Sequence, residues 1–149
     1  MGGVETFVGG SEKLTAIFGG WPSFHDSEIV ELHLWRGVTA PPETVHRPTL
    51  ALKIHLSDTT GETDAAGYYV LRHHTLTTLH FEGVDEFEMN GFNRQNVVFG
   101  LSIERGTSNP DSVYTVTISS SYGSEMRFKC LSVKVVDAVP CSPTGVIPS

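Results

Sequence analysis

The residues best suited to chemistry lie in the stretch WPSFHDSEI, residues 21–29, where a histidine and two carboxylates fall within four positions. His25, Asp26 and Glu28 are of the types that bind a divalent metal, which needs three or four nitrogen or oxygen donors. Their spacing argues against a metal site, because neighbouring residues of an extended chain point to opposite sides. We therefore predict no metal and no cofactor, and a metal-dependent hydrolase using these residues stays the alternative.

The same stretch also has the composition of a structural corner. Trp21 and Phe24 offer large apolar surfaces that could lock a helix end onto a sheet. Asp26 is suited to accept backbone N–H bonds at a turn, and the ring of His25 can be buried with both nitrogens bonded. We predict that the segment pins a sheet to its neighbour and leaves Glu28 exposed.

A second polar stretch is VDEFEMNGFNRQNVVFGL, residues 84–101. Its Asn-Gly pair is a strong tight-turn signal, since both residues tolerate positive φ. Asn93 and Asn96 follow the turn and precede an apolar strand. These amides could satisfy backbone groups at the turn, or they could form a polar ligand pocket with His25 and Asp26.

Motifs for other chemistry are missing from the chain. It contains no GxSxG nucleophile motif, no GxGxxG dinucleotide motif and no GxxxxGK[ST] phosphate loop. The two cysteines, Cys130 and Cys141, form neither a C-x-x-C pair nor a zinc-ribbon spacing, which favours two free thiols in a reducing compartment. We predict that the protein is not an enzyme.

The elements that must position these residues are mostly strands. Ser11 can cap a short helix that Gly19 ends. After Phe24 the pattern is of strands and brief turns, about eight strands in all. Short connections require antiparallel neighbours, so the fold class is mainly β (α+β), an antiparallel sheet or sandwich with one short N-terminal helix.

Two strands show clear alternation. In EIVELHLWR, Val30, Leu32 and Leu34 are predicted to point inward and the residues between them outward. In TLALKIHLS the leucines and isoleucine at 50, 52, 54 and 56 should point inward. Residues 57–67, SDTTGETDAAG, have no periodicity and are predicted to be a polar loop.

The chain as a whole fits one domain. With 149 residues it can bury a sizeable core, and we expect a single domain over 1–149 with flexible ends at 1–10 and 142–149. The N-terminus lacks the features of a secretory signal, and no run of eighteen apolar residues occurs. The expectation is a cytoplasmic protein without membrane contact.

The charge is acidic throughout. Ten Lys and Arg against seventeen Asp and Glu give a formal net charge of −7. Phosphate backbones repel such a surface, so we expect no nucleic-acid binding, whereas a basic protein partner is compatible. Two acidic segments are the predicted partner-binding residues: Asp85, Glu86 and Glu88, and Asp58, Glu62 and Asp64.

The two polar stretches together resemble a known family. WPSFHDSEIVELHL, the strand LALKIHL and LHFEGVDEFEMNGFNRQNVVFGLSI are similar to the immunity protein 50 family of bacterial polymorphic toxin systems, over roughly Leu14 to Val135. The resemblance implies no catalytic role for the matching residues. The matching residues are Trp21, Phe24, His25, Asp26, Glu28, Phe92, Asn93 and Asn96.

The resemblance implies a non-enzymatic antidote that binds and neutralises a cognate toxin. Toxin domains that are nucleases tend to be basic, so an anionic surface would suit such a partner. Besides the metal-dependent enzyme, a third interpretation stays open at this point: a small-ligand or assembly module that forms a β-rich homodimer.

Overall fold

The computed structural model describes residues 3–40, 44–92, 96–106, 114–120 and 125–147. Within these ranges, a 3-10 turn at Val4–Thr6 and one helix, α1, precede ten strands. The bounds are α1 Glu12–Phe18, β1 Glu28–Trp35, β2 Val38–Ala40, β3 Thr44–His46, β4 Thr49–Thr63, β5 Tyr69–Glu82, β6 Asp85–Asn90, β7 Val98–Arg105, β8 Tyr114–Ser120, β9 Glu125–Cys130 and β10 Ser132–Pro140.

Eight of the strands form two four-stranded antiparallel sheets. Sheet one has the order β1-β4-β5-β10, and sheet two has the order β6-β9-β8-β7. The short β2 and β3 form a separate two-stranded antiparallel sheet. The mainly β prediction with one short N-terminal helix is confirmed. No helix in the described ranges is long and apolar enough to cross a membrane.

The inner faces of the two sheets share one hydrophobic core. All four alternating apolar residues of β4 are buried, as their period of two predicts. Phe81 of sheet one meets Phe128 of sheet two edge to face, with ring centroids 4.9 Å apart. This geometry is favourable for aromatic pairs and ties the two layers together. The buried β4 residues are Leu50, Leu52, Ile54 and Leu56.

Helix α1 begins and ends close to where the sequence predicts. Gly19 takes the left-handed conformation that ends the helix, with φ 78°. Ser11 stands at the N-cap position, but its hydroxyl donates to the Glu5 carbonyl at 2.7 Å and makes no capping bond. The capping prediction for Ser11 is therefore wrong in its chemistry, although it places the helix start correctly.

The predicted alternation of β1 is wrong at Val30 and at Leu34, which are both exposed. Ile29 pairs with Ile54 and Glu31 with Lys53, so Val30 is an extra residue at a β-bulge. The bulge turns Ile29 into the core and leaves Val30 exposed. A one-residue slip exchanges the two faces of a strand, which a period-of-two pattern cannot anticipate.

Residues 57–67 are not the loop that the sequence predicts. β4 continues to Thr63 and pairs with β5 from Tyr69 onward, so the connection is the short turn 64–68. Side chains from Gly61 to His73 are all exposed. We call residues 59–71 the hairpin arm, because they extend sheet one beyond the core.

The N-terminal segment lies along the outer edge of sheet one. Gly9 donates to the Val133 carbonyl at 3.0 Å and accepts from Val135 N–H at 2.7 Å. Val8 is buried beside this edge. These contacts place part of the segment expected to be flexible against β10.

Candidate functional site

The WPSFHDSEI segment lies where the two sheets meet. Residues 24–29 are hydrogen-bonded to residues 96–98, and Glu28 forms an antiparallel bridge with Val97. We call these two ranges the sheet joint, because they connect the start of β1 to the start of β7. Its backbone bonds run from Asp26 N to Val98 O at 2.9 Å, from Val98 N to Ser27 O at 2.8 Å, and from Ile29 N to Asn96 O at 3.0 Å.

A strained turn anchors the joint in the core. Phe24 is only 2 % exposed although its φ is +64°, a conformation that costs a non-glycine residue about 1–2 kcal/mol. Its ring lies 5.5 Å from that of Trp21. The buried Ser27 hydroxyl donates to the Phe24 carbonyl at 2.6 Å. Burial of the aromatic ring is the contribution that offsets the backbone strain.

His25 and Asp26 face solvent at the joint. The His25 ring, considered from the sequence as a group that can be buried, is 51 % exposed and lies edge-on to the exposed Phe99 ring, 5.3 Å between centroids. Its Nδ1 is 3.1 Å from Asp26 Oδ2. Asp26 also has a positive φ, 67°. Glu28, predicted to be exposed, is half-buried.

These side chains form a pair and not a larger cluster. Within the ranges that the structure describes, no three His, Cys, Asp or Glu side chains come together as metal ligands would. The Asp26 backbone carries the bond to β7, whereas its carboxylate lies beside His25. The arrangement provides a hydrogen-bonding pair on the surface above a buried turn.

The second family segment supplies the other half of the joint. Asn96 is buried, and its Nδ2 donates to the Ile29 carbonyl at 3.4 Å. Phe92 is partly exposed beside it, and Asn93 lies outside the described residues. Phe92 and Asn96 line a mostly apolar recess, with an empty volume of about 310 Å³ including space open to solvent. Its lining includes Ile29, Met89, Phe92, Val98, Ile118 and Met126. The polar pocket considered from the sequence includes Asn93, so it stays a prediction.

The acidic residues at 58, 62 and 64 all lie on or beside the hairpin arm, in different settings. Asp58 is at its base, 3.3 Å from Arg72 Nε and 3.1 Å from His73 Nδ1. Asp64 orders the turn, because its Oδ1 accepts backbone bonds at 2.9 and 3.0 Å. Glu62 is exposed between them. Negative charge that is not opposed by a nearby cation is therefore concentrated toward the tip.

The acidic residues of β6 lie beside cations of β9. Lys129 Nζ is 2.7 Å from Glu86 Oε2, and this hydrogen bond with its attraction lowers the pKa of the Glu86 carboxyl. Glu88 pairs in register with Arg127, and Asp85 with Lys129. The outer face of sheet two therefore carries mixed charge, less negative than the β6 sequence alone suggests.

The two acidic groups lie on different sheets. Asp58 and Glu62 belong to β4 of sheet one and Asp64 to the turn after it, whereas Asp85, Glu86 and Glu88 belong to β6 of sheet two. A partner that contacted both groups would therefore have to reach both sheets.

The sequence reasoning missed the apolar residues of the arm. Tyr68 and Tyr69 are 72 % and 70 % exposed, and Leu71 is 50 % exposed. A signal for them was present in the sequence: the four apolar residues YYVL directly follow a turn signal, in a segment that lacks an alternating core face.

A histidine pair lies close to the base of the arm. His55 Nε2 and His74 Nδ1 are 3.0 Å apart. Burial lowers the pKa of His55, and the neighbouring His74 lowers it further. A Cβ added at Gly145 would lie 3.3 Å from His55 Nδ1, which shows how closely the C-terminal segment covers this ring. The lowered pKa favours the neutral form of the His55 ring in this partly buried contact.

Comparison with known proteins agrees with the resemblance in the two polar segments. Residues 10–140 match the family model described as Immunity protein 50. Neither a search of curated proteins nor a search of solved structures found a match. The matched range contains α1, all ten strands and both halves of the sheet joint. The chain therefore belongs to the Immunity protein 50 family.

Proposed function

We propose that this protein binds a cognate polymorphic toxin in the bacterial cytoplasm and neutralises it without catalysis. The observation that carries the proposal is the family match over residues 10–140. An immunity protein must remove toxin activity faster than the toxin damages its own cell. A stable one-to-one complex that blocks the toxin meets this requirement without any reaction.

The charge of the chain supports a basic partner. A net charge of −7 speeds association with a cationic protein and disfavours anionic partners such as nucleic acids. A toxin that acts as a nuclease would itself need cationic side chains around its substrate cleft. We include Asp58, Glu62 and Asp64 of one acidic group and the carboxylates of β6 as candidate contacts.

The family segments act in this proposal through architecture. The sheet joint holds the two sheets in a fixed relation, so the surfaces on both are presented in one geometry. A pre-ordered surface loses less conformational entropy on binding. His25, exposed above the joint, is a further candidate contact.

Co-expression tests the proposal directly. Bacteria that express the toxin domain encoded beside this gene should stop growing, and co-expression of this chain should restore growth. The two purified proteins should elute together in size-exclusion chromatography. An unrelated immunity protein of similar charge serves as the control for non-specific rescue. Absence of both rescue and complex would show that the proposal is wrong.

A further inference from the structure

The hairpin arm is the most exposed apolar feature that the structure describes. Tyr68 and Tyr69 are each at least 70 % exposed, and Val70 and Leu71 follow at 37 % and 50 %. Four consecutive exposed apolar residues at the tip of a hairpin bury little apolar surface in the free protein and so contribute little to its stability. Such groups are typical of protein-contact sites, where tyrosine is strongly enriched among the residues that dominate affinity.

The arm is long enough to enter a cleft. Its β5 side extends four residues from Arg72 at the base to Tyr68 at the turn, which span about 13 Å, and β4 has two more residues than β5 between Thr59 and Thr63. Two paired strands present a narrow ribbon of this length with both faces open to solvent. A concave partner surface could therefore contact both faces at once.

The tip is ordered by its own hydrogen bonds. Asp64 N–H donates to the Tyr68 carbonyl at 2.8 Å, and Gly67 N–H donates to the Asp64 carbonyl at 3.0 Å. The Asp64 carboxylate accepts from the N–H groups of Ala66 and Tyr68. Gly67 has φ 87°, which the turn requires and glycine allows without strain. The backbone of the turn that carries the tyrosines is therefore ordered before any partner arrives, which lowers the entropic cost of binding.

The base of the arm sets its direction. Between the pairs Leu56–Thr75 and Asp58–Arg72, β5 contains one more residue than β4, and His73 within this bulge has φ 57°. The His73 ring is edge-on to Phe18 at the end of α1, 6.3 Å between centroids, and its Nδ1 is near Asp58. A bulge bends and twists a strand, so these contacts aim the arm relative to the core.

The charge around the tyrosines indicates the kind of partner. Residues 58–72 contain three carboxylates and one guanidinium, which give a net charge of −2. The guanidinium of Arg72 is next to Asp58, and among the described residues neither Glu62 nor Asp64 forms an ion pair. Tyrosine faces also attract Lys and Arg side chains. An aromatic, anionic tip of this kind fits a cleft with a cationic rim and an apolar floor.

We propose that the hairpin arm inserts its tip, Tyr68–Leu71 with Glu62 and Asp64, into a cationic cleft of the cognate toxin. This inference rests on the proposed toxin-binding function and assigns it a surface. It favours the arm over the β6 carboxylates, whose charge Arg127 and Lys129 partly balance.

The test compares a tip variant with a matched control. The double variant Tyr68→Ser/Tyr69→Ser removes both rings, and Phe99→Ser removes an aromatic residue that is 59 % exposed on sheet two. Binding to an active-site-inactivated form of the adjacently encoded toxin domain is measured by calorimetry. Loss of two central aromatic contacts should weaken binding by about 100-fold or more, whereas Phe99→Ser should change it by less than about fivefold.

Charge and folding are checked with separate measurements. Glu62→Lys should slow association with the toxin domain more at low salt than at high salt. The melting temperature of the double variant should stay close to that of the wild type, since the tip contributes nothing to the core. Circular dichroism should show the same strand content.

The outcomes separate the two proposals. If the wild type forms no complex with the toxin domain, the proposed function fails. If the wild type binds and the double variant binds within about threefold, the toxin-binding function stands and the role of the arm is overturned. A wild-type dimer that the double substitution converts to a monomer, with toxin binding unchanged, would equally overturn it by assigning the tip to a second copy of the chain.

Discussion

The buried turn at Phe24 should be a major source of stability, and replacing Phe24 by alanine tests this. The ring is 2 % exposed and contacts Trp21, so its removal leaves a cavity in the core between the sheets. Substitutions of this kind cost about 3–5 kcal/mol. A domain has a net stability of about 5–15 kcal/mol, so Phe24→Ala should lose a large fraction of it.

The positive φ of Phe24 adds a sharper expectation. Alanine keeps a Cβ that is strained at φ 64°, by about 1–2 kcal/mol, whereas glycine is not strained there. Glycine has the larger entropy in the unfolded chain, worth about 0.5–1 kcal/mol. Phe24→Gly should therefore be at least as stable as Phe24→Ala, the reverse of their order at an ordinary strand position.

Urea unfolding followed by tryptophan fluorescence provides the measurement. Phe99→Ala is the matched control, because the same ring is 59 % exposed and should cost less than about 1 kcal/mol. If Phe24→Ala costs no more than Phe99→Ala, the turn is not an anchor of the sheet joint. If Phe24→Gly is less stable than Phe24→Ala by 1 kcal/mol or more, the strained conformation has been misjudged.

Three further predictions concern other parts of the molecule. Burial raises the pKa of the Cys130 thiol to about 12 from its ordinary 9.0, so the contribution of this thiol to the free energy of unfolding is fully present below pH 9 and declines as the pH rises above it. A thiol reagent at pH 8 should modify Cys141 first and Cys130 only on unfolding, and equal rates would contradict this. Because the pKa of His55 is lowered, the contribution of this ring to the free energy of unfolding is present above about pH 6.5 and is lost as the pH falls. The melting temperature of His55→Gln should fall less than that of the wild type between pH 7.5 and 5, and equal falls would refute the assignment. Gly83 has φ 71°, and a Cβ added there would lie 2.6 Å from the Leu131 side chain, so Gly83→Ala should destabilise the protein by about 1–3 kcal/mol. Gly61 has φ 87°, but a Cβ added there meets open space, so Gly61→Ala should cost less, and equal losses in urea unfolding would show that steric contact is not the cause.

The sequence predicts the parts of the fold that depend on local pattern. The alternation of Leu50 to Leu56 identifies a strand with one buried face, and Gly19 marks the helix end. Both signals depend on neighbouring residues only. The bulge at Val30 breaks the alternation of β1, since register depends on the partner strand β4.

The hairpin arm shows a second limit of pattern analysis. Alternation arises only where one face of a strand is buried, and both faces of the arm are open to solvent. The polar segment 57–67 therefore has the composition of a loop although most of it is strand. The hydrogen bonds between Asp64 and Tyr68 can be recognised only once the turn is placed.

The sheet joint could be predicted in role but not in geometry. The turn residues of FHDS indicate a corner, but Asn96 is 67 positions from Ile29 in the chain. Contacts over such distances depend on the topology of both sheets. The exposure of His25 has the same origin, since it depends on how closely β7 approaches the turn.

The most direct test of the central claim is a titration of the cognate toxin with this protein. If the protein acts by binding, toxin activity should fall linearly with added protein and reach its minimum near one equivalent. The residual activity should not change with incubation time, and toxin separated from the complex under denaturing conditions and refolded should be active again. Complete inactivation by a small fraction of an equivalent, increasing with time, would show turnover and contradict the account.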